Sequence, residues 1–80
     1  MELTEILKQV NEIFKKELDN ENIVLTFESS GEDVEEWDSL SHIHLIVAIE
    51  KYYNIRFTTK EIQSFKNAGE LCECIQKKLG

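Results

Sequence analysis

The chain contains no proline, and only three of its eighty residues are glycine. No proline therefore breaks a helix, and no Pro-rich spacer separates two units. Cysteine is limited to Cys72 and Cys74. Residues two apart diverge on a helix, which excludes a disulfide or a shared metal between these two. They read as cytosolic thiols, at least one of them buried. There is no apolar run long enough to span a bilayer, and Met1-Glu2-Leu3 lacks the basic start of a signal peptide. A cytoplasmic protein without stable membrane insertion is expected. Basic residues are the scarcer charge, 9 against 16 acidic, for a net charge of −7. That balance opposes nucleic-acid phosphates and anionic membranes, and favours partners with basic docking patches. Repeats and low-complexity segments are also missing.

What is present is 41% hydrophobic residues, enough for a globular core. Residues 1–80 are expected to form a single domain with a core so small that every amphipathic face must be used. Leu3, Ile6, Leu7, Val10, Ile13 and Phe14 recur at spacings of three and four, which predicts a first helix from about Glu2 to Leu18. Asp19-Asn20-Glu21-Asn22 reads as its stop. Ile23 to Phe27 has strand propensity. With Ile55-Arg56-Phe57 as the only plausible partner, an extended loop segment covering a bundle is preferred over an α+β arrangement. Glu28 to Asp33 is turn and acid. Its order of acids does not match a calcium-binding loop.

A second helix is predicted over Ser39 to Tyr53, with Asp38 as N-cap and Asn54 as a left-handed C-cap. Steps of 100° from Ser39 gather Leu45, Ile46, Ile49, Tyr52 and Tyr53 on a core arc between about 220° and 340°. Leu40, Ile43 and Val47 form a separate apolar stripe between about 40° and 100°. A helix with two apolar stripes is either buried on both sides or keeps one for a partner. Thr58 or Thr59 caps a short third helix, with a capping box to Glu61 when Thr58 is the cap, and Ile62 and Phe65 face inward. Asn67 caps a fourth helix, about Ala68 to Leu79, whose stripe is Leu71, Cys72, Ile75 and Leu79. Lys77 and Lys78 suit its C-terminal end. The fold class is thus all-α, a bundle of three long helices and one short one, with a long loop between the first two.

The candidate site is Glu36-Trp37-Asp38-Ser39-Leu40. Ser39 stands first in its helix, at the positive end of the macrodipole, where an attached anion is favoured. Asp-Ser-Leu, the acidic loop before it and Ile-Val-Ala-Ile-Glu-Lys-Tyr-Tyr-Asn-Ile-Arg-Phe after it resemble the acyl and peptidyl carrier protein family over nearly the whole chain. The resemblance implies a 4′-phosphopantetheine arm on Ser39, taken from coenzyme A by a separate phosphopantetheinyl transferase, with Asp38 taking part in that complex. It implies acyl chemistry as thioesters, in fatty-acid, polyketide or other specialised biosynthesis, and a monomeric carrier rather than an enzyme. Partners would be acyl or aminoacyl ligases, synthases and transferases. They would dock on Leu40, Ile43 and Val47, bordered by Glu50. Carriers of general fatty-acid synthesis have acids early in this helix. Here Ser41, His42 and His44 stand at those places, and Lys51 replaces another acid, which leans toward a specialised pathway.

Ser39 lacks a Gly-x-Ser-x-Gly setting, and His42 lies about 300° from it on the helix, so self-contained hydrolysis is not expected. His42 and His44 are two apart, diverge, and read as surface histidines rather than metal ligands. Two alternatives stay open: an aminoacyl carrier, of D-alanyl or peptidyl type, and a helical adaptor that uses the apolar stripe without any prosthetic group.

Overall fold

A computed structural model describes residues 1–80 and contains four helices and no strand: α1 (Leu3–Glu17), α2 (Ser39–Tyr53), α3 (Thr59–Ser64) and α4 (Ala68–Leu79). The first helix is one residue shorter at each end than its apolar period suggests, because Glu2 and Leu18 serve as its caps. Ile6, Val10 and Phe14 are sealed from solvent. Leu3, Leu7 and Ile13 pack around them at the margin. α1 lies against α2 and α4, which bring Leu45, Ile46, Ile49, Leu71, Cys72 and Ile75 to the same core.

Each helix start after the first is specified by local chemistry. Asp38 accepts from the N–H groups of Leu40 and Ser41 at 3.0 and 2.9 Å. Thr58 and Glu61 exchange hydrogen bonds as a reciprocal box, with Thr58 N–H donating to Glu61 Oε1 at 2.8 Å and Glu61 N–H to Thr58 Oγ1 at 3.1 Å. Asn67 accepts from the Glu70 N–H at 2.9 Å. At the end of α2, Asn54 takes the left-handed conformation, φ 57° and ψ 51°, which Asn tolerates better than most residues. The Ile55 N–H then donates back to the Glu50 carbonyl at 3.0 Å.

The segment from Ile23 to Phe27 has the alternation of a strand, with Ile23 and Leu25 buried and Val24 exposed, yet it pairs with no strand. Its backbone is satisfied by helices instead. The Asn11 side chain of α1 donates to the Ile23 carbonyl at 3.2 Å and accepts from the Leu25 N–H. The first N–H groups of α4 add two more bonds: Gly69 donates to the Phe27 carbonyl and Ala68 to the Ser29 carbonyl, both at 2.8 Å. A helix start has free donors, and here the loop provides their acceptors. Gly69 is required for that approach, because a Cβ there would stand 2.7 Å from the Phe27 carbonyl oxygen.

Two expectations about packing are corrected. Tyr52, placed on the core arc of α2, is exposed, and only its neighbour Tyr53 turns inward. Tyr52 lies at the edge of that arc and beyond the reach of the core. Its ring instead lies edge-on to Tyr53 and borders an open groove with Gln9 and Ile13 of α1. Tyr53 donates to Gln9 Oε1 at 2.7 Å, and burial pushes its phenol up to about 12. Leu79, counted in the stripe of α4, is exposed because the helix runs past the core at its last turn. Cys72 is buried and its thiol is pushed up to about 12 by that burial, while Cys74 is partly exposed; both are free thiols.

Candidate functional site

The loop, α2 and α3 meet at the start of α2, and the residues from Glu36 to His42 build the junction. Asp38 has extended backbone, φ −113° and ψ −173°, so its side chain folds over the first turn. Backbone donation from Ser41, the largest influence, holds its carboxyl below the ordinary carboxylate range. Ser41 completes the box from the other side. Its Oγ accepts from the Asp38 N–H at 2.9 Å and donates to the Glu36 carbonyl at 2.6 Å. A serine thus fills the place that Glu or Gln takes in the common form of this box. With Asp38 folded back, Ser39 projects into solvent at the first helical position.

Beside Ser39 lies an open concavity of about 490 Å³, bordered by Trp37, Ile43, Ile62 and Phe65 and by the polar Gln63 and Lys66. Its inner wall is aromatic. Trp37 is buried and stands edge-on to Phe14 of the core, with ring centroids 4.9 Å apart. His42 lies 6.0 Å from Trp37 on one side and 6.2 Å from Phe65 on the other. Phe65 meets Phe57 edge-on at 5.7 Å.

His42 is the centre of this wall, which corrects its reading as a surface histidine. The Trp37 indole Nε1–H donates to His42 Nδ1 at 3.0 Å. His42 Nε2 lies 2.9 Å from the Ile62 carbonyl oxygen in α3. An acceptor at Nδ1 and a carbonyl facing Nε2 require the neutral ring with its proton on Nε2. Loop, α2 and α3 are therefore joined through one imidazole. Each of its two hydrogen bonds contributes about 1 kcal/mol net, and each edge-on ring contact contributes about as much. Both ring nitrogens are occupied, so His42 is no base for Ser39. His44 stays exposed.

The stripe beside Ser39 stands open. Leu40, Ile43 and Val47 are 75%, 51% and 42% exposed, and the acidic loop does not cover them. Glu50, expected to border them, is partly buried, and its Oε2 accepts from the Phe57 N–H at 2.8 Å. That oxygen fixes the turn after α2 rather than facing outward. Asp38, Ser39, Leu40, Ile43 and Val47 are thus gathered on one accessible face, while Glu50 is partly buried and bonded to the turn after α2.

Sequence reasoning did not identify Trp37, Ser41 and His42 as a joined unit. The signal was present: a buried Trp needs an acceptor for its N–H, and the only imidazole within one helical turn of the cap is His42.

Comparison with known proteins places these features in context. The family described as Phosphopantetheine attachment site matches residues 8–75. The solution structure of the holo acyl carrier protein from Geobacter metallireducens superimposes with a TM-score of 0.87 at 44% identity, over 92% of this chain and 85% of that one. No curated protein gives a significant match.

Proposed function

The chain belongs to the phosphopantetheine-attachment family of acyl-carrier type, and from that premise we propose that Ser39 bears the arm and that Leu40, Ile43 and Val47 receive the enzymes that act on it. Membership implies a covalently attached 4′-phosphopantetheine. Domains of this kind are generally carriers served by phosphopantetheinyl transferases and biosynthetic enzymes rather than enzymes themselves. The arm supplies a terminal thiol on which acyl groups are held as thioesters.

The observation that carries the assignment is the exposed Ser39 hydroxyl at the start of a fifteen-residue helix, beside an open groove. The residues fit the group. Ser39 offers an accessible oxygen for a phosphodiester, and the positive end of the α2 dipole favours the anion. Asp38 is committed to the cap and keeps the first turn rigid while the hydroxyl is held outward. The chain provides no base, so the Ser39 proton goes to a group of the transferase. The new Oγ–P bond forms as the pyrophosphate of coenzyme A breaks and adenosine 3′,5′-bisphosphate leaves.

The apolar stripe supports docking through exposed aliphatic side chains on the same accessible face as the arm. The net charge of −7 suits basic rims on the partners. The absence of acids at Ser41, His42 and His44 favours enzymes of a specialised pathway. The reading places the carrier in the cytoplasm, in line with its free thiols. No helix is long and apolar enough to cross a membrane.

The test is the intact mass after incubation with coenzyme A and a promiscuous phosphopantetheinyl transferase. The native chain gains one phosphopantetheinyl group and Ser39→Ala gains none. An adduct on Ser39→Ala, or none on the native chain, overturns the assignment. Val47→Glu should load normally and lose transfer to its partner enzymes.

A further inference from the structure

The aromatic wall at the base of the groove lies between Ser39 and the core, and it bears on what the arm can carry. The groove beside Ser39 runs between α2 and α3, and it is the route nearest to hand for an acyl chain moving from Ser39 into the bundle. His42 closes that route, bonded to Trp37 on the loop side and lying 2.9 Å from the Ile62 carbonyl on the α3 side. Behind it Trp37 rests on Phe14, and beside it Phe65 rests on Phe57. The core side chains behind it are screened from solvent. Ile6, Phe14, Leu45, Ile46, Ile49, Leu71 and Ile75 are nearly or fully sealed. The larger concavities, including the one beside Ser39, are open to solvent.

Resting on the assignment of the arm to Ser39, we propose that the Trp37–His42–Ile62 bridge bars cargo from the bundle, so that the carrier serves short or polar acyl groups held in the outer groove. Opening the bridge breaks two hydrogen bonds and separates the His42 ring from Trp37 and Phe65, and a buried core must then part. Burial of about five methylenes only offsets the first of these losses, and the second is added to it. A short acyl group lacks that apolar length. The groove itself is suited to such cargo: Ile43 and Ile62 offer modest apolar contact, while Gln63 and Lys66 offer polar partners at its rim.

The experiment loads acetyl, butyryl and octanoyl forms onto the full chain from the corresponding acyl-coenzyme A thioesters, using the same transferase. Melting temperatures and methyl and indole NMR spectra are then compared. In the native protein the three forms should melt within about 1 °C of one another, since no added apolar surface enters the core. Shifts should be confined to the methyls of Ile43 and Ile62, with the Trp37 indole N–H still protected from exchange. In His42→Ala, octanoyl should raise the melting temperature by about 4 °C or more over acetyl and shift the methyls of Leu45 and Ile46. Trp37→Phe keeps a ring on Phe14 but removes one hydrogen bond, and should behave in the same direction should His42→Ala fail to fold. Octanoyl reaching the Leu45 and Ile46 methyls of the native protein overturns the proposal. Variants that exclude octanoyl as well as the native chain does also overturn it. A chain that loads normally but buries octanoyl refutes the bridge alone; a chain that takes no arm refutes the Ser39 assignment and this inference with it.

Discussion

α1 and α2 are both fifteen residues long, and they distribute their apolar side chains in opposite ways. α1 keeps one stripe, buries its centre and gives the remaining face to charge. α2 buries Leu45, Ile46 and Ile49 on one side and leaves Leu40, Ile43 and Val47 in water on another. A helix with a single stripe is accounted for by the fold that it stabilises. The second stripe of α2 contributes nothing to this core, and it lies beside the one serine whose hydroxyl begins a helix next to a groove. The contrast separates residues kept for folding from residues available to a partner.

Truncating each face tests that separation most severely. Phe14→Ala or Ile49→Ala should cost about 3–5 kcal/mol in urea unfolding, close to the whole stability of a domain of this size. Val47→Ala and Ile43→Ala should change stability by less than about 0.5 kcal/mol and weaken partner binding instead. Equal destabilisation from both faces would erase the distinction.

Gly69→Ala sharpens the account of the loop. Alanine favours a helix over glycine by about 0.5–1 kcal/mol. Here its Cβ would press on the Phe27 carbonyl oxygen at 2.7 Å, so a net loss of about 1–2 kcal/mol is expected in thermal unfolding. A gain would mean that the loop yields freely.

The cap of α2 comes next. Asp38→Ala should lower stability by about 1 kcal/mol. The same variant should slow phosphopantetheine loading, because the first turn that presents Ser39 loosens. A destabilised but normally loaded variant would limit Asp38 to the cap.

The smallest effect is in acid. Donation from the Thr58 backbone, followed by Lys78 at 2.9 Å, holds Glu61 at about 2 against an ordinary 4.5. Its folded value is depressed, so its contribution is complete above pH 4.5 and is lost as pH falls toward 2. Glu61→Gln should flatten that part of the curve of melting temperature against pH. An unchanged acid limb would remove Glu61 from the cause.

Much of the fold was legible because its signals are local. The period of α1, the caps Asp38, Thr58 and Asn67, and the left-handed Asn54 each depend on neighbours within about one turn. The strand-like alternation at Ile23–Phe27 was also read correctly as an extended loop segment covering the bundle, but its hydrogen-bond partners were not legible. They come from Asn11 and from the start of α4, which only folding brings alongside. Tyr52 was misplaced because a helical wheel gives direction and not distance to the neighbouring helix. The bond from the Phe57 N–H to a Glu50 oxygen was not legible for a similar reason, since the two residues lie seven apart across the turn after α2.

By itself the sequence determined the all-helical order, the helix starts, the second apolar stripe and the serine at the head of α2, since periodicity and capping chemistry act over a few residues. The tertiary structure alone decided that the stripe remains in water and that His42 joins the loop to α3. It also decided that an aromatic wall closes the bundle behind Ser39. Those outcomes require groups from separate elements to meet within hydrogen-bonding or ring-contact distance, and no spacing along the chain encodes such a meeting.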